Sequence, residues 1–506
     1  MVGAGHNGLL CAGTLAQAGW EVTVLEQASH PGGAVHSARG PLPGFVADPC
    51  AGFFPLTRAS PAFDGIDLEA LGIEWVEPPI AMVHPLPDGR SVVLHRQLEP
   101  TVASLEGARP GAGRAWAGLV APLLRHQRLV RGTVLAPLPP LAPALALGLR
   151  LRRGGLELAR LMAGSAADLG RGVLGGDEPA AWLGGSAAHS DLSPDAPGSA
   201  AIAFSLHLLG HMVGWPFPRG GAGRIADALV RRLTLAGGTV RCGSAVERIE
   251  SAGGRVRGVV LADGSTLAAE AVVATVSVAP LLRMLGPGAL PRRVDGELRR
   301  WRYGVGTFKL DFALSGPVPW SSEDARRAAV VHVSGTIAEQ VEAAHAAGRG
   351  RIPRRPSIVV GQHSLHDDTR APPGQHALYA YTHVPAHYPD DDSAVADLIE
   401  SRIEAFAPGF RGLVLGRTLR SPERLERDNP SLVGGDLGGG SVALDQQLLF
   451  RPTPRLARYR TPLRGLYVAG ASTHPGPGAH GVPGAGAARA VGRDAARPLR
   501  RLSSTR

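Results

Sequence analysis

An α/β fold containing a Rossmann-type domain is predicted by three features of this sequence. They are a glycine-rich turn at its start, an apolar strand pattern one helix later, and a second glycine-rich turn ahead of a helix near its end. The first turn, GAGHNG from Gly3 to Gly8, fits G-x-G-x-x-G. In that pattern the first glycine permits a tight turn, the second admits a pyrophosphate, and the third lets helix pack on strand. Gly3, Gly5, His6, Asn7 and Gly8 are therefore candidate dinucleotide contacts. An apolar helical pattern runs from Leu9 to Ala18, Gly19 breaks it, and WEVTVLE reads as a strand ending in Glu26. An acidic side chain at that point accepts hydrogen bonds from ribose hydroxyls and repels a 2′-phosphate.

The later segments extend this pattern. A turn at Pro218 to Gly221 precedes an amphipathic helix with apolar Ile225, Leu229 and Leu233, then three strand patterns separated by turns at Gly253-Gly254 and Asp263-Gly264. Near the end, LYVAG runs into a glycine-rich turn and a helix beginning near Gly481. Such a turn aims backbone N–H groups and the positive end of a helix dipole at a ligand. At 506 residues the chain exceeds the size at which one core stops growing, so two domains are expected, one of them split in sequence.

The net charge of +10 would suit a nucleic-acid partner, but only one of the 53 basic residues is lysine and the arginines are dispersed among acids. A nucleic-acid-binding protein gathers its cations into a patch, so none is expected as a partner. Cys11, Cys50 and Cys242 show no CxxC spacing, which argues against zinc or a disulfide framework. With no secretory signal pattern at its start, the chain is expected to be cytoplasmic. The stretch VLAPLPPLAPALALGL, Val134 to Leu149, is too short and too proline-rich to span a membrane and ends in RLRRGG. It reads either as a buried helix with a solvated basic end or as a segment lying peripherally on the inner membrane face.

The run GAGHNG…VLEQASHPGGAVHS…GFVADPCAGFFP resembles the N-terminal signature of the FAD-dependent phytoene desaturase and amine oxidase superfamily, in its phytoene-desaturase-like branch. The resemblance implies FAD as cofactor, held by a glutathione-reductase-like, Rossmann-type FAD-binding domain assembled from the discontinuous segments 1–95, 216–290 and 435–506. It implies a mixed α+β substrate domain with a helical part, 96–215, and a mixed α/β part, 291–434. By the same resemblance Gly32, Gly33 and Ser37 contact FAD, Asp48 lies in a segment approaching the flavin, and Val246 passes the adenine. Gly470, Ala471, Gly481 and Val482 become flavin neighbours. Ala34 departs from the pattern, since amine oxidases commonly carry arginine directly after the double glycine.

Candidate catalytic residues follow from what such a flavin site needs. Lys309 is the solitary lysine, on an alternating strand before a Pro-Trp turn. Amine oxidases carry a lysine on a similar strand, where it holds a water near the flavin. His474 and His480 flank the C-terminal glycine turn, and Tyr379, Tyr381 and His383 alternate along one strand face in a segment that also holds His363 and His366. Tyr381 is the candidate from that face. His207 and His211 have the one-turn spacing of a metal pair but no third ligand nearby, so they read as pocket lining or core packing and no metal is expected.

The expected function is hydride transfer from an apolar or amphipathic small molecule, carotenoid-like or a secondary metabolite, to FAD, by a dehydrogenase or desaturase. An external acceptor, oxygen or a quinone, would reoxidise the flavin. Two other readings stand beside it: an oxygen-dependent amine or alcohol oxidase, and a non-catalytic flavin-binding protein or redox-neutral isomerase. Only Met1 and Val2 precede the first glycine, where a strand of about five residues is usual. The short start reads as a start codon assigned too late, a truncated N-terminus or an unusually short first strand whose place in the sheet is partly empty. Restoring about four to six apolar residues is expected to raise FAD retention and melting temperature.

Overall fold

Parallel segments build the sheet beneath the first glycine turn. In the computed structural model, which describes residues 1–496, Thr239–Arg241 pairs with Thr23–Leu25, and Val272–Ala274 pairs with Leu466–Val468. Val2 joins these pairs, bridging Leu25 on one side and Ala274 on the other. Its ladder is complete on both sides. Val2 N–H donates to Val273 at 2.9 Å and Gly3 N–H to Leu25 at 2.8 Å, while the Met1 and Val2 carbonyls accept from Leu25 and Thr275, each at 2.9 Å. The central place in the sheet is therefore filled by residues 1–3, and the expected gap is not seen.

Helices cover this sheet on the pattern anticipated from spacing. His6–Gln17 buries Leu9, Leu10 and Leu15, and Gly223–Leu235 buries Ile225, Leu229 and Leu233. Both belong to one apolar cluster that also takes in Ala487, Ala488 and Val491 of the C-terminal helix Val482–Ala495. That helix comes so close to the first that a Cβ at Gly484 would lie 2.2 Å from the Asn7 carbonyl oxygen. A three-stranded antiparallel meander, Val246–Ala252, Arg255–Leu261 and Thr266–Ala268, sits alongside.

The second sheet has seven strands in the order 414–420, 306–314, 376–384, 358–361, 328–333, 80–85, 91–95. All neighbours are antiparallel except 328–333 with 80–85. The strands at 80–85 and 91–95, assigned from sequence to the FAD-binding segment 1–95, thus belong to this other sheet. The helix Arg292–Arg299, assigned to the substrate part, instead packs Val294 and Leu298 with Val246 and Val272 of the cofactor side. Helices between Leu98 and Val213 form the helical layer. Residues 497–506 of the segment 435–506 lie outside the described residues.

Alternation decides which face of the large sheet carries chemistry. Along Gly306–Leu314, Phe308, Leu310, Phe312 and Leu314 enter one apolar cluster, while Lys309 and Asp311 point to the opposite face. Tyr379 pairs with Asp311, and Tyr381 with Lys309. Arg420 pairs with Lys309 from the other side, so the charged and phenolic groups meet on one surface.

Candidate functional site

A cleft of about 960 Å³ runs along the carboxyl ends of the parallel segments. Gly3, Gly5, His6, Asn7, Glu26, Gly33, Val246, Thr275, Arg420 and Ala471 are among the residues lining it. Gly3 has φ +95°, a left-handed conformation, and a Cβ there would lie 2.6 Å from Thr275 Oγ1. At Gly5 a Cβ would meet nothing within 4 Å, leaving the backbone open to the cleft. Gly33, from the second glycine pair, comes within 3.2 Å of Gly5 Cα when a Cβ is added. The two glycine turns are therefore in backbone contact. Substituting Gly8 tests this cradle: a Cβ would lie 2.3 Å from the Gly3 carbonyl oxygen. Gly8→Ala is expected to cost about 1–3 kcal/mol, read as a lower urea midpoint with FAD lost on gel filtration.

Glu26 closes the end of its strand and is buried. Oε2 accepts the Ala4 N–H at 2.7 Å and Oε1 the Ala28 N–H at 3.0 Å, which orients the carboxylate over the turn. Each oxygen keeps a second lone pair for a ribose hydroxyl. Helix His6–Gln17 has no side-chain cap at its start, so its first N–H groups are available to an anion. Two buried polar atoms beside it, His6 Nε2 and Asn7 Oδ1, have no protein partner. Burial lowers the His6 imidazole to about 4, with a backbone bond to Gly478 opposing. Its ring is neutral at physiological pH. An open glycine backbone, an uncapped helix start and unpaired polar atoms fit a dinucleotide diphosphate.

Other residues assigned to the cofactor stand one layer back. Ser37 donates to Asp48 Oδ1 at 2.6 Å and accepts the Gly223 N–H at 3.0 Å. Its hydroxyl holds the cleft wall and does not line the cleft. Gly470 is pressed against the preceding strand, where a Cβ would sit 2.7 Å from the Val276 carbonyl oxygen. Gly481 caps the C-terminal helix at φ +67°, and Val482 is buried with Ala59, Leu135 and Leu209. Gly478 and Ala479, three residues earlier, form the cleft wall instead.

None of the four residues read as catalytic lines the cleft. Lys309 is 1 % exposed, its ammonium bound by the Asp311 carboxylate and lying 4.8 Å from the centre of the Tyr379 ring. Asp311 also pairs with Arg420, and Arg420 is the member that reaches the cleft. His474 donates through Nε2 to the Ala136 carbonyl at 3.1 Å. His480 accepts the Val482 N–H at Nδ1 and donates from Nε2 to Gly476, fixing the turn from within. The Tyr381 hydroxyl reaches His189 Nδ1 at 3.1 Å, and His189 Nε2 meets His332 Nε2 at 3.0 Å, in the helical layer. His207 bonds Ser186 Oγ at 2.6 Å, and His211 accepts from Trp116 Nε1 at 3.0 Å. Both rings pack against Trp116, and His207 Nδ1 is left without a partner.

A buried ionic hub joins the cleft wall to the large sheet. Arg370 Nη1 lies 2.8 Å from Asp48 Oδ2 and Arg370 Nε 2.9 Å from Asp367 Oδ2. Asp48 also accepts the Ala222 N–H at 2.9 Å, and Asp367 the Gly220 N–H at 2.8 Å. Burial alone would raise the Asp48 carboxyl, but Arg370, His363 and Ser37 hold it below the usual range. Arg370 and Asp367 carried no motif that sequence reading could use. Arg370 reaches Asp48 across 322 residues and Asp367 reaches Gly220 across 147.

The comparisons with known proteins agree with this geometry. Residues 8–492 match the family described as flavin containing amine oxidoreductase. The chain belongs to that family. Its cofactor is FAD, and it is an FAD-dependent oxidoreductase of the amine oxidase and desaturase superfamily. The chain is 27 % identical over 541 residues to pyridine nucleotide-disulfide oxidoreductase domain-containing protein 2 of Rattus norvegicus, covering 95 % of this chain and 90 % of that one. It is 27 % identical over 519 residues to hydroxyneurosporene desaturase of Cereibacter sphaeroides, covering 94 % and 93 %. Cyclohexylamine oxidase from Brevibacterium oxydans shares the fold, with TM-score 0.60, 16 % identity, and coverage of 98 % of each chain. Among the described residues, no helix is long and apolar enough to cross a membrane.

Proposed function

We propose that this flavin amine oxidoreductase family member is a dehydrogenase or desaturase that removes hydride from an apolar or amphipathic small molecule of terpenoid or similar secondary-metabolite character. The observation that carries the reading is the position of Lys309. Its ammonium is sealed behind Arg420 by Asp311 and Tyr379, which leaves it unable to hold a water at the cleft surface. Ala34, lining the cleft where the amine oxidase pattern has arginine, supports the same reading. So does the full-length likeness to a hydroxyneurosporene desaturase.

Bound FAD supplies the hydride acceptor; the chain contributes position and shielding. Gly3, Gly5 and Gly33 would bring backbone against the diphosphate of FAD, Glu26 would take the ribose, and Val246 would cover the adenine. Neutral His6 and the Cys50 thiol, which burial pushes up to about 11, add no charge to their own parts of the wall, while Arg420, Arg424 and Asp428 bring charge to it elsewhere. The two electrons taken from the substrate would pass on to an external acceptor, a quinone or oxygen. The test is anaerobic mixing of the purified yellow protein with terpenoid hydrocarbons, alcohols and amines, followed by reoxidation with quinone or oxygen. Bleaching by a terpenoid or related natural product is expected, with quinone the faster acceptor. Lys309→Met is expected to leave the oxygen reaction within about twofold, since the ammonium does not touch the reacting site. Bleaching by amines, or a slow oxygen reaction in Lys309→Met, would favour the oxidase reading.

A further inference from the structure

Helices Leu141–Leu151 and Arg153–Ala163 form a hairpin in which no residue is fully buried. Leu147, Leu151, Leu158 and Leu161 pack inward on the helical core. On the opposite side Leu141, Leu145 and Leu149 recur at i, i+4 and i+8 and are 72 %, 67 % and 70 % exposed, joined by Leu156 at 79 %. That spacing forms one continuous apolar stripe. Exposed Arg150, Arg152, Arg153 and Arg160 accompany it, against Glu157 as the sole acid of residues 141–163. A soluble surface rarely leaves four large leucines together in water.

We propose that this hairpin docks the enzyme on an anionic lipid bilayer. The leucines enter the boundary between headgroups and acyl chains, and the arginines sit among lipid phosphates. Charge complementarity selects this occupant over a second copy of the chain, whose matching face would bring the same arginines together. The root of the hairpin is tied to the cleft. Ala136 accepts a hydrogen bond from His474, and Leu135 packs on Val482, at the two ends of the glycine turn that carries Gly478 and Ala479. Docking therefore places the membrane beside a wall of the cofactor cleft.

Co-sedimentation of the holoenzyme with vesicles tests this, using phosphatidylcholine alone or with about 30 mol % phosphatidylglycerol. Binding is expected only to the anionic vesicles and is expected to weaken as salt rises. Leu145→Glu/Leu149→Glu is expected to lower partitioning at least about tenfold, and Arg152→Glu/Arg153→Glu comparably. Both pairs are exposed, so flavin absorbance and melting temperature are expected to stay unchanged. The proposal is overturned if wild type ignores anionic vesicles, or if the leucine substitutions leave binding intact. It is equally overturned if sedimentation velocity shows a wild-type dimer that the leucine pair converts to monomer.

Discussion

Arg370→Met is expected to lower the unfolding free energy of the holoenzyme by about 3–5 kcal/mol and to release much of its FAD. The guanidinium is 1 % exposed and lies between two carboxylates, Asp48 and Asp367, which are themselves buried. Methionine fills a similar volume but leaves both anions without a cation, and an uncompensated buried charge costs more than the pair contributes. The damage should spread to the cofactor because Asp48 anchors Ala222 and Ser37, and the loop between Ser37 and Asp48 continues into Pro49, Cys50 and Ala51 of the cleft wall. Urea unfolding followed by far-UV dichroism gives the stability, and flavin absorbance after gel filtration gives the occupancy. Adding Asp48→Asn to Arg370→Met should be less harmful than the sum of the single changes, as one of the stranded charges is then removed. A loss below about 1 kcal/mol for Arg370→Met would mean that the hub is hydrated in solution and does not hold the wall.

The second large effect is expected in acid. His84 and His474 are lowered to about 4, and His363 and His480 to about 3. Burial is the leading cause in each, with Arg370 adding to it at His363 and His6 at His480. An unfolded histidine titrates near 6.5. Between that value and the folded one, the unfolded chain binds protons that the native protein refuses, so stability falls as pH falls. Each such ring removes about 1.4 kcal/mol per pH unit across its window. Melting temperature should therefore drop steeply below about pH 6.5. Asp48 and Asp367, held below the usual carboxylate range, begin to act in the same direction only below about 4, which separates the two regimes. His84→Gln retains a donor for the Gly335 carbonyl and should reduce the slope by about one proton. A slope unchanged in that variant would assign the acid sensitivity to other groups.

Local pattern was enough to place much of this molecule. Gly3, Gly5 and Gly33 reached the cleft because their chemistry is in the backbone, where a missing Cβ and a positive φ have signatures in the sequence. The helix at Gly223–Leu235 and the turns at Gly253-Gly254 and Asp263-Gly264 follow from periodicity and turn chemistry alone. Side-chain direction at long range was not legible in the same way. Lys309 was located on the correct strand, but whether its ammonium reaches the cleft depends on Asp311 on the same face and Arg420 on the neighbouring strand. His474 and His480 flank the C-terminal glycine turn in sequence, yet each ring turns back to a carbonyl, at Ala136 and Gly476, for which no spacing rule exists. The boundary at residue 95 failed because strands 80–85 and 91–95 read the same whichever sheet they join.

The bridge that Val2 makes in the parallel sheet has a consequence for biogenesis. Its hydrogen bonds go to Leu25, Val273 and Thr275, and the turn it feeds is backed by Gly484 against Asn7. A ribosome that has released only the first half of the chain has made the first glycine motif, Leu25 and the helix Gly223–Leu235, but neither Val273 and Thr275 nor the C-terminal helix. Contacts separated by this many residues are the last to close. FAD capture is therefore expected to follow synthesis of the C-terminal helix, and a chain ending before Val482 is expected to retain no flavin on gel filtration.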